Sequence, residues 1–236
     1  MVKSELIKRS PLRIFEKSIH GGLGAGNLGV LASKKGVGKT ACLVHIATDK
    51  LLQNKHVIHV SFSAKVDHII NWYEDIFKEI AKKRNLESAV EVHDEIIRNR
   101  VIMNFNQREI GIDQILERVA SMIHEGNFAA DTVIFDGYDF NRTSLEDLER
   151  IRSFAAESGI EIWFSVTLGE GGLEEIFDEN GFPNITKPFQ SAIDVLITLR
   201  FVKDHIHFQA VKDRDESEPK DMHLKLDPNT LLVAVE

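Results

Sequence analysis

The sequence predicts a three-layer α/β/α fold with a mainly parallel central sheet and antiparallel strands at its C-terminal end. Up to residue 166, five short apolar runs alternate with segments of helical periodicity, an arrangement that pairs strands in parallel through right-handed crossovers. From residue 193 onwards, four strand-like runs follow one another with only short polar turns between them. These runs predict an antiparallel extension of the same sheet, so we expect a single α/β domain over residues 1–236.

Each element follows from its local pattern. Short apolar runs predict strands over residues 28–32, 57–62, 101–105, 132–135 and 160–166, and then over 193–201, 206–211, 222–226 and 231–235. Apolar residues at helical spacing predict helices over residues 40–52, 66–83 and 112–125. Ser144, with Asp147 three residues later, predicts a capping box that starts a helix running to Ser158.

Two glycine-rich stretches lie outside these elements. Residues 21–27 contain four glycines and predict a turn-forming segment that leads into the first strand. Residues 168–190 are rich in glycine and acidic residues and show no periodicity, so they predict a long loop. A loop of this length within a domain is often functional or mobile, and its negative charge favours a regulatory or protein-binding role over contact with DNA.

Composition restricts the class of protein. The chain has 37 acidic and 29 basic side chains and a formal net charge of -8, which disfavours a strong, sequence-indifferent nucleic-acid binder without excluding a local basic patch. Cys42 is the only cysteine, so no intrachain disulfide can form and a reducing compartment is expected. No apolar run approaches the ~20 residues of a transmembrane helix, and the first ten residues lack the apolar core of a secretory signal. We therefore expect a cytoplasmic protein that does not enter a membrane.

The segment between the first strand and the first helix has the pattern of a phosphate-binding loop, G-x-x-x-x-G-K-[ST]. The predicted ATP-binding residues are Ser33, Lys34, Lys35, Gly36, Val37, Gly38, Lys39, Thr40 and Ala41. Glycines allow the backbone amides to turn towards phosphates, and the following helix presents its positive N-terminus. In this pattern Lys39 reaches the β- and γ-phosphates and the Thr40 hydroxyl binds Mg²⁺. Ser33 departs from the pattern, which has glycine at that position.

A second magnesium ligand is predicted at Asp136. The short apolar run 132–135 delivers this aspartate at the carboxyl end of a strand, where ligands bind in open parallel sheets. An apolar run that ends in aspartate is a weak signal alone, but it becomes specific beside a phosphate-binding loop. The sequence therefore predicts ATP and Mg²⁺ as cofactors.

The order and spacing of these motifs resemble the RecA-like P-loop ATPases, and within them the KaiC-like branch, over nearly the whole chain. Residues 21–23 resemble that family's segment before the first strand, and residues 192–200 with 211–214 resemble its C-terminal hairpin. The resemblance implies that Lys212 and Arg214, as a Lys-x-Arg pair, reach the nucleotide of a neighbouring subunit. A homo-oligomer with ATP sites near its interfaces is then expected. A solvated hairpin turn is the alternative interpretation of residues 212–214, and the sequence does not choose between them.

One departure from this family concerns catalysis. The family places a catalytic glutamate just after the second strand, where it orients the attacking water, but residues 63–65 here read Ser-Ala-Lys. The first carboxylate in this region is Asp67, and losing a general base typically slows a reaction ~10²–10⁴-fold. We therefore expect ATP binding with weak or absent hydrolysis, unless Asp67 or another subunit supplies the base. The expected role is that of a nucleotide-dependent signalling or assembly module. Binding of a protein partner is one way in which such a module acts.

Two rival functions remain open. Lys34, early in the loop, resembles the deviant Walker A motif of ParA- and MinD-like ATPases, which would make the chain a nucleotide-driven dimer. That family starts its first strand near the N-terminus and lacks a terminal antiparallel meander, so the C-terminal strands favour the RecA-like interpretation. A RecA paralogue that binds DNA is the third candidate, which the acidic composition disfavours.

His205 and His207 form a further pattern, that of a metal-ligating pair. Two residues apart in a predicted strand, they share one face and offer two metal-ligating nitrogens. Because no third ligand is close to them in sequence, we interpret the pair as part of a partly exposed polar face.

Overall fold

The computed structural model describes residues 1–63 and 67–236, and its framework is one mixed sheet. The strands are β1 Leu28–Ser33, β2 Val57–Ser61, β3 Arg100–Asn104, β4 Thr132–Asp136, β5 Glu161–Thr167, β6 Val195–Val202, β7 His205–Asp213, β8 Lys220–Leu226 and β9 Val233–Val235. They lie in the order β3-β2-β4-β5-β1-β6-β7-β8-β9. Neighbours from β3 to β6 pair in parallel, and β6 to β9 pair antiparallel, as the sequence predicts.

The first two helices precede β1, and the others connect the parallel strands. The helices are α1 Lys3–Lys8, α2 Leu12–Ser18, α3 Lys39–Leu52, α4 Asp67–Arg84, α5 Ala89–Arg98, α6 Ile112–His124, α7 Leu145–Ser158 and α8 Leu173–Ile176. The capping box at the start of α7 is confirmed: the Ser144 hydroxyl accepts from the Asp147 amide, and the Asp147 carboxylate accepts from the Ser144 amide. Within the described parts of the chain, no helix is long and apolar enough to cross a membrane.

Apolar side chains alternate between the two faces of the sheet and build a separate core on each. Leu31 of β1 belongs to a core shared with α1 to α5, whereas Val30 and Ala32 belong to a second core shared with α6 and α7. All six residues of β1 are buried, as expected for a strand covered on both faces. The predicted arrangement of helices on both sides of a mainly parallel sheet is therefore present.

Three helices and part of a loop differ from the prediction. Helices α1, α2 and α5 are not predicted from the sequence. Residues 168–190, predicted as one long loop, contain α8 and a 3₁₀ helix at Asn184–Phe189. Both α1 and α2 are shorter than two turns and bury only one or two side chains each. Helices this short are marginal in isolation and depend on packing, so they leave little periodicity to detect.

Candidate functional site

The predicted phosphate-binding loop connects β1 to α3 at the carboxyl end of the central strand. Ser33, which departs from the motif, is the last residue of β1 and is fully buried. It pairs with Thr167 as the last step of the β1–β5 register, so its backbone is extended. An extended backbone is accessible to any residue, and serine therefore fits where the motif has glycine.

The two glycines of the loop occupy backbone conformations that disfavour other residues. Gly36 has φ +80° and Gly38 has φ +99°. A Cβ atom on Gly38 would also lie 2.6 Å from the Leu226 Cδ2 atom. Gly38 is the N-cap of α3 and has no side chain that could accept from the first-turn amides. The N-terminus of a 14-residue helix therefore opens at this loop without a side-chain cap.

Lys39, the first residue of α3, folds back onto the loop. Its Nζ atom donates to the Ser33 carbonyl at 3.0 Å, the Ser33 hydroxyl at 3.2 Å and the Lys34 carbonyl at 3.0 Å. Burial lowers the pKa of Lys39 to about 8, against the attraction of the Asp136 carboxylate, which favours the charged form. The site thus holds a largely buried ammonium group among backbone oxygens.

The two predicted magnesium ligands lie next to each other. The Thr40 hydroxyl donates to the Asp136 carboxylate at 3.0 Å and 3.2 Å to its two oxygens. Asp136 is the last residue of β4 and is only 7% exposed. A hydroxyl and a carboxylate, both hard oxygen ligands, are the donor set that Mg²⁺ prefers. The residues present therefore fit the predicted ion.

Two further residues that the sequence analysis missed support Asp136. The Ser165 hydroxyl of β5 donates to Asp136 Oδ1 at 2.6 Å and accepts from the Gly137 amide at 2.7 Å. His59 of β2 is fully buried, and its Nδ1 atom shares a hydrogen bond of 3.0 Å with the Tyr73 hydroxyl of α4. Polar residues inside the apolar runs of β2 and β5 are the sequence signal that could have found both.

The environment of Asp136 keeps it ionised. Burial raises the pKa of its carboxyl, but His59, the Ser165 hydroxyl and the Thr40 hydroxyl outweigh burial and hold the pKa below its usual value. The His59 Nε2 atom lies 3.9 Å from Asp136 Oδ2. That distance exceeds a hydrogen bond, so His59 acts on the carboxylate through the electrostatic field of its ring. The result is an anionic ligand beside Thr40 and Lys39.

The remaining loop residues differ in exposure. Lys34 and Lys35 are exposed, and the Lys34 ammonium donates to the Gly171 carbonyl of the 168–190 segment at 3.1 Å. Val37 packs against the core that contains α3. Ala41 is buried in that core, so only its backbone amide is available to a ligand.

The other predicted catalytic residues lie away from this loop. Asp67 begins α4 and is exposed, and among the hydrogen bonds and ion pairs of the described residues none joins it to the loop. The region of the missing glutamate falls partly outside the described residues, which exclude 64–66. Lys212 pairs with Leu196, which pairs with Val30, so residues 212–214 lie towards the opposite end of β1.

Lys212 and Arg214 are bound to their own chain. The Lys212 ammonium donates to the Ile193 and Gln190 carbonyls. The Arg214 guanidinium donates to the Gly22 carbonyl at 2.9 Å and to the Ile19 carbonyl at 3.2 Å. The structure therefore does not bring these two cations to the phosphate-binding loop of the same molecule.

No protein-family model matches the chain, and no curated protein is similar to it at a significant level. In the molecule, the central strand β1 ends in a glycine-bearing loop that leads into the N-terminus of α3. Lys39 and the contact between Thr40 and Asp136 lie at this loop. The function has to be inferred from that geometry.

Proposed function

We propose that the chain binds ATP with Mg²⁺ at the loop 33–41 and at Asp136, and acts as a nucleotide-dependent assembly or signalling module of the RecA-like type. The observation that carries this proposal is the contact between the Thr40 hydroxyl and the Asp136 carboxylate at 3.0 Å, beside Lys39. Thr40 and Asp136 are 96 positions apart in sequence, and each was predicted from a separate motif.

Each group has a distinct part in binding. The amides at the start of α3 and the Lys39 ammonium are donors for the β- and γ-phosphates. Thr40 and Asp136 hold the metal ion, which neutralises phosphate charge when it is bound. The Ser165 hydroxyl donates to the Asp136 carboxylate, so the carboxylate is oriented before the ion arrives.

The proposal includes weak hydrolysis. Residues 63–66 contain no carboxylate, and Asp67 is an exposed residue at the start of α4. A P-loop without a residue that orients water still binds nucleotide, because binding depends on the loop, the lysine and the metal ligands. Slow turnover suits a protein whose output is the ATP-bound state itself.

The choice of the RecA-like type rests on the C-terminal strands. Strands β6 to β9 extend the sheet beyond β1 in antiparallel order, the feature that separates the RecA-like resemblance from the ParA- and MinD-like one. Lys34, the residue that suggests the rival family, donates to a carbonyl of its own chain. An oligomer in which Lys212 and Arg214 reach a neighbour would have to exchange their present carbonyl partners.

Binding of a fluorescent ATP analogue, with and without Mg²⁺, tests the site. We expect Lys39→Ala to weaken binding under both conditions by roughly 10- to 150-fold, since hydrogen bonds to a charged group contribute about 1.5–3 kcal/mol. Asp136→Asn should abolish only the gain in affinity that Mg²⁺ gives. Lys17→Ala, which removes an exposed lysine of α2, is the matched control and should bind as the wild type does. A Lys39→Ala variant that binds normally would refute the proposal.

Phosphate release, measured over a range of protein concentrations with Lys39→Ala as background, tests hydrolysis and assembly. We expect release close to that background. Release that rises more steeply than linearly with protein would instead show a working site between subunits, and loss of that release in Arg214→Ala would place Arg214 in it. Rapid release that is linear in protein and insensitive to Asp67→Ala would refute weak hydrolysis.

A further inference from the structure

A second cluster of chemically active side chains lies on the C-terminal strands. Along β7 the side chains alternate, so Ile206 and Phe208 are buried in the core with α3 while His205 and His207 lie on the opposite face. Glu236 follows β9 and places its carboxylate between the two imidazoles. The fold therefore places a third ligand beside His205 and His207. No such ligand is close to them in sequence, which is why the sequence alone favoured a polar face over a metal site.

The three side chains converge on one point. Glu236 Oε1 lies 3.2 Å from His205 Nε2 and 2.8 Å from His207 Nδ1. One ligand atom from each residue lies within 4.8 Å of the other two. In a tetrahedral zinc site with ligands at about 2.0–2.1 Å, neighbouring ligand atoms are about 3.3 Å apart. Both distances to the carboxylate oxygen are within about 0.5 Å of that spacing.

A second carboxylate lies beside the other nitrogen of each imidazole. Asp204 Oδ1 is 3.0 Å from His205 Nδ1, and Asp221 Oδ1 is 3.5 Å from His207 Nε2. Metal-bound histidines characteristically donate their free N–H to a carboxylate, which fixes the tautomer and makes the ligating nitrogen more basic. His205 is supported in this way through a hydrogen bond to Asp204, and the Asp221 carboxylate lies at the longer ion-pair distance from His207, an arrangement that a solvated polar face does not require.

We propose that His205 Nε2, His207 Nδ1 and Glu236 Oε1 bind a divalent transition-metal ion of borderline softness, Zn²⁺ in the first instance, with water in the fourth position. Two imidazoles and one carboxylate suit Zn²⁺, whereas Mg²⁺ and Ca²⁺ take oxygen ligands. The site is partly shielded, since the side chains of His205, His207 and Glu236 are 23%, 22% and 29% exposed. It uses none of the residues assigned to nucleotide binding and does not depend on that proposal.

The cluster has a neighbour that serves as an internal comparison. Asp221, His223 and Glu236 also lie within ligand range of one another, but the side chains of Asp221 and His223 are 45% and 76% exposed. His223 Nδ1 is 3.7 Å from Asp221 Oδ2, a loose ion-pair distance. Because Glu236 is common to both groups, variants of the histidines distinguish them.

Titration of the full chain with Zn²⁺, in buffer free of nucleotide and Mg²⁺, tests the proposal by calorimetry. We expect one equivalent to bind, and Co²⁺ in its place to give the visible absorption of a four-coordinate ion. His207→Gln and Glu236→Gln should each remove this binding, and Asp221→Asn should weaken it about 10- to 100-fold. His223→Gln is the matched control and should bind as the wild type does. A cooperative unfolding transition without metal confirms that each variant is folded.

Three results would overturn the inference. If His207→Gln and His205→Gln, both folded, bind Zn²⁺ as the wild type does, the ion is not held by the proposed ligands. If His223→Gln loses binding while His207→Gln keeps it, the ion belongs to the exposed group around Asp221. Failure of the wild type to bind one equivalent overturns the inference directly and leaves the proposal for ATP unaffected.

Discussion

A buried histidine on the phosphate-loop helix gives the stability of the protein a defined pH dependence. His45 of α3 is 4% exposed, and its Nε2 atom lies 2.8 Å from the Leu231 carbonyl just before β9. Burial disfavours the imidazolium and lowers the pKa of His45 to about 4 from an ordinary 6.5, although the bond to Leu231 opposes the shift. We predict that this residue makes the fold acid-sensitive.

The sign and size of this pH dependence follow from the difference in proton binding between the folded and unfolded chain. Between pH 6.5 and about 4 the unfolded chain binds a proton at His45 and the folded chain does not, so acid favours unfolding over this interval. Above pH 6.5 the contribution of His45 to stability is fully present. At about 1.4 kcal/mol per pKa unit, the complete loss below pH 4 is about 3.4 kcal/mol, of which about 2 kcal/mol is already lost at pH 5.

Urea unfolding at pH 7.5 and pH 5 measures this effect against His45→Gln, whose amide can still donate to the Leu231 carbonyl. The difference in unfolding free energy between wild type and variant should change by about 2 kcal/mol between the two pH values. His124→Gln, which removes an exposed histidine at the end of α6, should show no such change. A wild-type-minus-His45→Gln difference that stays constant with pH would refute the reasoning.

Three further predictions concern the candidate nucleotide site. Ser33→Gly, which restores the motif residue, should lower stability by about 0.5–1 kcal/mol in chemical unfolding, because glycine weakens a strand; an unchanged free energy of unfolding would contradict this. Gly38→Ala should cost about 1–3 kcal/mol in chemical unfolding and weaken ATP binding, given φ +99° and the contact with Leu226. Ser165→Ala should weaken Mg²⁺-dependent ATP binding about 10- to 100-fold in a titration while binding without Mg²⁺ stays normal, because Asp136 loses its orienting hydroxyl.

Most of the sheet was predictable because most of its strands are buried and appear as short, predominantly apolar runs. The runs around Val30, Val60 and Phe135 predict β1, β2 and β4 within a residue of their observed ends. The antiparallel strands were predictable for another reason, since only short turns separate them. The local sequence pattern was sufficient to predict an element wherever buried residues recur at regular spacing along the chain.

Residues that act through distant contacts were not predictable. Ser165 is an ordinary polar interruption in a strand until the β4–β5 pairing places it beside Asp136, 29 positions away. Glu236 becomes relevant to His207 only because β8 pairs with β7 and β9 pairs with β8. Sequence analysis therefore identified residues that belong to a continuous motif and missed those that pairing brings together. Lys212 and Arg214 stay a prediction, since the structure shows only their partners within one chain.

The contacts of Lys39 have a consequence for the heat of ligand binding. Its ammonium already donates to three oxygens of its own loop, from Ser33 and Lys34. Three is the full number of hydrogen atoms on that nitrogen. An anion that engages Lys39 must therefore exchange hydrogen bonds for others and cannot simply add to them. The enthalpy gained at this residue comes from replacing neutral acceptors by charged ones, so it should diminish steeply as the charge of the ligand is reduced.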